Sequence, residues 1–413
     1  MTATVRLIHF ADFHLGVENY GRLDPETGVS GRVNDFLRCL DFVVETALDE
    51  KVDLVLFAGD AYKSRDPSPT HQREFASRIR RLVEAGIQVL LLVGNHDMPG
   101  ATGRANSVDI FDTLAVPNVT VADRPRLHRL ETRAGPVQIV AIPWLTYGRI
   151  LLREEYRGLN LEQIHEEVIR RVDRFLNGED GVVGLLERGV PAVCTYHGSV
   201  VGAVYGSERS VLLGREIVLP PSLVRQPAFD YVALGHIHKH QVLAEDPPVV
   251  YPGSLERVDF GEEKEEKGFI LAEVAPGKAT WRFVPTPARP MRTVEVSPQE
   301  DNPTAEVVAA LESQPLEEAI VRVQVHLRPD QEPLLDDKAV RRALEPAYYV
   351  AAITREVERP PRLRLGPQEA IEGMTPLEIL EQYFRQKEVS EARLRDLLSR
   401  AEEVIREVEA GAD

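Results

Sequence analysis

The sequence has almost no cysteine. Cys39 and Cys194 are the only two, one in a helical pattern and one in an apolar strand pattern. That count excludes a disulfide framework and suits a reducing, cytosolic compartment. Long apolar runs are missing as well. No stretch approaches the ~20 apolar residues of a membrane span, so no membrane anchorage is expected. No basic segment with a long apolar run precedes Val5–Phe10, which already reads as a strand, so a secretory leader is not expected. Positive charge is scarce: 49 Lys+Arg against 66 Asp+Glu give a formal net charge of -17. A polyanion is repelled at long range by such a chain. Any phosphate substrate therefore needs a local positive centre, either a basic patch or bound metal. Solenoid-type repeats and low-complexity tracts are also absent.

What is present is a chain that builds a core. Hydrophobic residues make up 43% and aromatics 6% of 413 residues, which excludes global disorder. At ~100–200 residues per domain, two or three domains are expected. Residues 1–285 alternate short apolar strands with amphipathic helices, the pattern of an α/β domain. Val33, Phe36, Leu37, Leu40, Val43, Val44, Ala47 and Leu48 recur at helical spacing. Thr70 is placed to cap a second helix that stops at Gly86, and Asn160 to cap a long one that ends at Asn177-Gly178. The charged run Gly261-Glu262-Glu263-Lys264-Glu265-Glu266-Lys267-Gly268 reads as a solvated turn. Pro285, Pro287 and Pro290 mark a boundary, and Pro360-Pro361 a second one. Between them lies a small α+β unit, residues 286–372. A helical segment, 373–413, follows, with Leu394, Leu397, Leu398, Ala401, Val404, Ile405 and Val408 as its apolar stripe.

Five strand patterns end in groups that carry chemistry. Val5–Phe10 leads to Asp12-Phe13-His14, and Val52–Ala58 to Gly59-Asp60. Val89–Val93 leads to Gly94-Asn95-His96-Asp97, Ala192–Tyr196 to His197-Gly198, and Tyr231–Leu234 to Gly235-His236-Ile237-His238. Strand ends are where open α/β sheets place their ligands. The set mixes imidazole, carboxylate and amide oxygen without thiolate. It suits a divalent ion such as Mn, Fe or Zn, not a cysteine-type structural zinc. Leaving out His96, seven groups remain: Asp12, His14, Asp60, Asn95, His197, His236 and His238. Two ions that share one carboxylate use all seven, with four protein ligands each. Two ions ~3.5–4 Å apart suit attack on a phosphoryl group. His96 is left over to stabilise developing charge or to donate a proton. Asp97 reads as a supporting or capping carboxylate.

The order and spacing of these pieces resemble the motif set of the calcineurin-like metallophosphoesterases. Tyr251-Pro252-Gly253-Ser254-Leu255-Glu256-Arg257-Val258-Asp259-Phe260-Gly261-Glu262, with Lys267-Gly268-Phe269, is similar to the SbcD-type nucleases. Gly206-Ser207-Glu208-Arg209 and Thr375-Pro376-Leu377-Glu378-Ile379-Leu380 agree with that subfamily. The resemblance implies a β-sandwich flanked by helices, a small α+β capping and DNA-binding domain, and a C-terminal helical segment. It implies one ion on Asp12, His14, Asp60 and His238, a second on Asp60, Asn95, His197 and His236, and His96 as the catalytic non-ligand. Manganese is the ion it implies, with Mg2+, Fe2+ or Zn2+ as substitutes.

DNA is the implied substrate, cut as a double-strand exonuclease and single-strand or hairpin endonuclease. The implied partner is an SbcC-type ATPase that takes the C-terminal helix, in a heterotetramer containing a nuclease homodimer. A cytoplasmic, nucleoid-associated place follows. Where archaeal relatives often carry a His three residues after the bridging Asp, this chain has Lys63. Lys63, Arg65 and Arg104, in loops after metal-bearing strand ends, are the candidate DNA-phosphate contacts. Arg124, Arg126, His128 and Arg129 form a basic cluster elsewhere. Two other readings remain: an esterase for small phosphate esters, which has no need of the chain beyond residue 285, and a metal-free scaffold, which would lack ligands.

Overall fold

The computed structural model describes residues 4–26, 28–99, 104–145, 158–206, 216–358, 374–387 and 389–410. Pro360-Pro361 and Ser207-Glu208-Arg209 lie outside the described residues. The chain divides into two compact units. One is Met1–Val294 with Leu311–Val323 and Arg341–Ile353; the other is Glu295–Ala310, Gln324–Val340 and Thr354–Asp413.

The first unit is built on two six-stranded sheets. One contains β1 (Val5–Phe10), β2 (Leu54–Phe57), β3 (Gln88–Leu92), β4 (Val119–Ala122), β13 (Gly268–Ala275) and β14 (Lys278–Pro285), in the order β14-β13-β1-β2-β3-β4. The other contains β5 (Arg126–Thr132), β6 (Gly135–Ile142), β7 (Ala192–His197), β10 (Tyr231–Gly235), β11 (Gln241–Glu245) and β12 (Pro248–Tyr251), in the order β11-β12-β10-β7-β6-β5. The short strands β8 (Ser199–Val200) and β9 (Val218–Leu219) pair with each other between β7 and β10 in the chain. The central strands of each large sheet run parallel.

Their apolar runs are continuous because both faces are covered. Alternate residues of β1 divide between two cores. Leu7 faces Val193, Ala233 and Val250 of the opposite sheet, while Ile8 and Phe10 pack with Phe36, Leu40, Phe75 and Ile79. Those four belong to α1 (Gly31–Asp49) and α2 (Pro69–Glu84). On the far side of the second sheet, α4 (Leu161–Asn177) buries Ile164, Val168, Val172 and Leu176. A short α3 (Asp109–Thr113) precedes β4. The result is the α/β domain expected from the strand pattern, in the helix-flanked β-sandwich form that the resemblance implied.

The C-terminal third holds α5 (Pro303–Glu312), α6 (Asp337–Ala343), α7 (Pro376–Gln386) and α8 (Glu391–Ala410). Its strands β15 (Met291–Val296), β16 (Ile320–Leu327) and β17 (Tyr349–Val357) form one three-stranded sheet. No helix among the described residues is long and apolar enough to cross a membrane.

Two local expectations need correction. Ser68, not Thr70, caps α2: its side chain accepts from His71 N, and Pro69 takes the first helical position, where its missing N–H costs nothing. The basic residues Arg126, His128 and Arg129 keep their place as a surface cluster, on the antiparallel edge strand β5, with Arg129 paired to Glu131 and Glu187. The charged run 261–268 is not a solvated turn throughout. Glu262 and Lys267 are buried, at 0% and 2% exposure, and paired with each other at 2.8 Å.

His9 links the two sheets behind the strand ends. Its Nε2 lies 3.0 Å from the Leu234 carbonyl, which can only accept, so Nε2 carries the proton and Nδ1 accepts from the Tyr231 hydroxyl at 3.0 Å. Both bonds need neutral imidazole, and burial pushes its pKa down to about 3, despite the opposing Leu234 bond. A folded pKa below the unfolded ~6.5 means that acid favours the unfolded chain. The stabilisation from His9 is therefore intact above pH ~6.5 and lost progressively as pH falls toward 3, by up to about 5 kcal/mol. A His9→Gln variant is expected to be less stable at neutral pH, with a stability-versus-pH slope shallower by close to one proton between pH 6 and 4. Urea unfolding across that range measures it.

Candidate metal centre

Because β1, β2 and β3 are parallel neighbours, and β7 and β10 likewise, each sheet delivers its C-terminal strand ends along one edge. Those ends leave ordinary strand geometry at once. Asp12, His14, Asp60 and His236 have φ values of 52, 48, 64 and 100°. Left-handed backbone is costly for residues with a Cβ, and such outliers gather where the surroundings over-determine them for function. Glycine supplies the room. A Cβ at Gly59 (φ 104°) would collide with the His197 ring, and one at Gly94 with the Asp60 carboxylate. The turn at Asp12 is tied to the next strand end by its N–H, which donates to Gly59 O at 2.9 Å.

All seven sequence-predicted ligands meet in one place. Asp12, His14 and His238 form one compact group of potential metal ligands, and Asp60, His197 and His236 another. Asp60 Oδ2 lies between them, 3.7 Å from His14 Nε2 and 3.4 Å from His197 Nε2. Asn95 Oδ1 is 3.0 Å from both His197 Nε2 and His236 Nδ1. His14 Nε2 and His238 Nε2 are 3.0 Å apart.

Tautomers show what such contacts imply. His197 Nδ1 donates to Ala58 O at 2.6 Å, so in the neutral ring Nε2 is a bare lone pair. It points at Asn95 Oδ1 and Asp60 Oδ2, which are acceptors too. His238 Nδ1 lies 2.6 Å from Glu262 Oε1 and donates to it, which in the neutral ring puts the lone pair on Nε2, 3.0 Å from His14 Nε2. His236 Nε2 is buried with no hydrogen bond to the described residues; Glu216 Oε2 stands 3.5 Å away. In the neutral rings these lone pairs converge on one place, which fits cations, and the mixed imidazole, carboxylate and amide set fits divalent ions.

The electrostatics agree. Burial works against charge on Asp60, yet His197, His96 and His14 hold it well below the usual carboxylate range. Burial lifts Asp12 to about 6 against the pull of His197 and His238. Burial lowers His197, but Asp60 outweighs it and carries the ring up to about 9. Protons on these groups are what a cation displaces, so acid competes with metal here.

His96 and Asp97 part company. The Asp97 carboxylate is buried and accepts from Asp60 N (2.8 Å), Gly94 N (3.0 Å), Ala61 N (3.0 Å) and Ser107 Oγ (2.9 Å). It clips the turn after β2 to the turn after β3. His96 is half-buried and packs edge-to-face on His14 at 4.8 Å. Its Nδ1 donates to Lys63 O at 2.8 Å, and its N–H to Asp60 Oδ1 at 2.8 Å. His14, Asp60 and His96 also lie within ligand range of one another. At Lys63 it is the backbone carbonyl that touches the site; the residue is exposed, as are Arg65 and Arg104.

Three contributors escaped sequence reasoning. Glu262 holds His238. Glu216 faces His236 and accepts from the Tyr205 hydroxyl at 2.9 Å. Trp144, just past the end of β6, packs its ring 4.9 Å from that of His236. Trp144 had a legible signal, as another strand end of the same sheet. Glu216 had none, since a lone Glu in a loop reads as solvated.

A calcineurin-like phosphoesterase family model matches residues 5–240. The SbcD subunit of the SbcCD nuclease from Rhodobacter capsulatus is 30% identical over 324 residues, 75% of this chain and 75% of that protein. Its namesake from Escherichia coli K12 is 26% identical over 66% of each chain. DNA double-strand break repair protein Mre11 of Aeropyrum pernix is 26% identical, over 70% of this chain and 63% of the relative.

Proposed function

Because this chain belongs to the calcineurin-like phosphoesterase family, we propose that it is a two-metal phosphodiester hydrolase that cuts DNA. Asp12, His14, Asp60 and His238 hold one divalent ion. Asp60, Asn95, His197 and His236 hold the other. The observation that carries this reading is the position of Asp60 Oδ2, within 3.7 Å of one imidazole group and 3.4 Å of the other. When bound, such ions supply Lewis-acid polarisation of a phosphoryl group and lower the pKa of water.

The chain's own residues do the rest. The Lys63 carbonyl fixes the proton of His96 on Nδ1, so the ring presents Nε2 beside His14. A proton carried there passes to the departing oxygen, or its charge offsets the one that develops on the phosphate. Asp97 keeps the Asp60 and Asn95 turns in register while this happens.

DNA as substrate is supported by the names of the relatives. The activity we assign is double-strand exonuclease and single-strand or hairpin endonuclease, in break repair and recombination, with Mn2+ as the ion. Bound cations reconcile the acidic chain with a polyanionic substrate, because the positive centre is in the site itself. Lys63, Arg65 and Arg104 are assigned as phosphate contacts, and cleavage at subsaturating DNA should fall steeply with salt. Residues 1–285 are assigned as the nuclease domain and 286–372 as the capping domain. Residues 373–413 are assigned as the docking segment for an SbcC-type ATPase, in a heterotetramer built on a nuclease homodimer, in the cytoplasm with the nucleoid.

An amphipathic helix laid in a groove is an ordinary way to dock. In α8, Leu394 is buried, while Val404 on the same stripe is 58% exposed. Deleting residues 390–413 is expected to abolish co-purification with the ATPase and to leave basal cleavage intact. Unchanged co-purification would refute the docking assignment.

The test of the main reading is cleavage of linear and hairpin DNA with Mn2+, with and without chelator, beside hydrolysis of a small phosphodiester. Metal-dependent DNA cleavage supports it. Robust small-ester hydrolysis with no DNA cleavage moves the assignment to a small-ester phosphodiesterase.

A further inference from the structure

Glu262 and Lys267 make a buried ion pair in a segment whose other charged residues reach solvent. The pair sits directly behind His238. Glu262 Oε1 takes the Nδ1 proton of His238 at 2.6 Å, and Glu262 Oε2 lies 2.8 Å from Lys267 Nζ. The same ammonium donates to the His238 backbone carbonyl at 3.1 Å. Val258 N (3.0 Å) and Ser254 Oγ (3.4 Å) complete the shell of Glu262 Oε2. Residue 238 is therefore gripped twice, through its ring by the carboxylate and through its backbone by the cation.

Packing gives no reason for this pair. A buried ion pair costs desolvation, and apolar residues of similar volume often do as well or better for folding. What apolar residues cannot do is accept the Nδ1 proton. That bond fixes the ring tautomer and aims the Nε2 lone pair toward His14 and Asp12. Carboxylates that hold a ligating imidazole in this way raise its basicity and fix its orientation together. The other ion position is arranged differently. His197 relies on a backbone carbonyl, and the His236 ring nitrogen Nε2 stands 3.5 Å from Glu216 Oε2.

We propose that Glu262 is a positioning residue for the ion held by Asp12, His14, Asp60 and His238, and that Lys267 keeps Glu262 in place. This rests on the two-ion reading. It predicts an asymmetric centre, in which the two positions can be separated by changing residues that touch neither ion.

Two double variants test it, read by bound Mn2+ per chain after desalting, by titration calorimetry, and by the electron paramagnetic resonance of coupled Mn2+ pairs. Glu262→Met with Lys267→Met removes both the acceptor and the charge. Its metal-free form is expected to melt below wild type, because Val258 N, the His238 carbonyl and Glu265 Oε2 each lose a partner. It should retain one Mn2+ per chain where wild type retains two, and lose the coupled-pair signal. Glu262→Gln with Lys267→Met leaves a neutral acceptor for His238. It should keep both ions, with one bound about 10-fold more weakly.

A Met pair that binds two ions with wild-type affinity overturns the proposal. If the Met pair does not fold, the Gln variant decides, and two unchanged affinities there overturn it. Wild type that binds fewer than two ions overturns the two-ion reading and this inference together. Wild type with two and the Met pair with one supports both.

Discussion

Replacing Asp60 with Asn should remove both ions, not one, and slow phosphodiester cleavage by roughly 10³-fold or more, equivalent to about 4 kcal/mol of barrier. Asn is the informative choice because it fits the place. Asp60 sits at φ 64°, a left-handed conformation that Asn adopts readily. Its backbone bond from N–H to Asp97 Oδ2 at 2.8 Å survives, and an amide oxygen can still accept the His96 N–H in place of Oδ1. The change therefore removes charge and little else. That charge lies close to both imidazole groups, through Oδ2 at 3.7 and 3.4 Å. Metal content after desalting is expected to fall from two ions to none, with a thermal midpoint close to that of the metal-free parent. A variant that keeps one tightly held ion would mean that Asp60 serves one position only.

His96→Ala should have the opposite signature. Cleavage is expected to fall by roughly 10²–10⁴-fold, the usual contribution of a positioned acid or base, while both ions stay bound. The ring is held by Lys63 O through Nδ1 and by its edge-to-face contact with His14, and neither contact uses a ligand atom of the seven-group set. Its nearness to His14 and Asp60 makes the metal count the decisive reading. An ion lost with the ring would make His96 a ligand. Two ions retained with slow cleavage make it the group that meets the phosphate.

These two residues were legible because of where they stand. The central strands are covered on both faces, so their apolar runs are unbroken, and the first polar residues after each run stand out. Gly59-Asp60 and Gly94-Asn95-His96-Asp97 are conspicuous for that reason. The strands β5, β11 and β14 were not, because they are edge strands with a half-exposed face. β14 alternates exposed and partly covered residues, and β5 carries Arg126, His128 and Arg129. Asp97 was legible as a supporting carboxylate but not as a four-bond clip, since its partners come from two different turns.

Glu262 and Lys267 mark the limit of reading in one dimension. Every residue between Gly261 and Gly268 is Glu or Lys, so composition alone assigns the whole run to solvent. Only the fold brings His238 over that run and gives one Glu and one Lys a reason to be buried. The Ser68 cap, by contrast, had its signal in Pro69 at the first helical position.

The central claim is that this chain breaks phosphodiester bonds in DNA with two divalent ions held by seven strand-end groups. The most direct measurement is nucleotide release from linear duplex DNA by the metal-stripped chain as Mn2+ is titrated back, with bound ions counted at each point. Two-ion cleavage predicts no release without metal, release that rises as the second ion binds, and loss of release on adding chelator. Release that proceeds at full rate in chelator, or two bound ions with no DNA cleavage at any Mn2+ concentration, would contradict it.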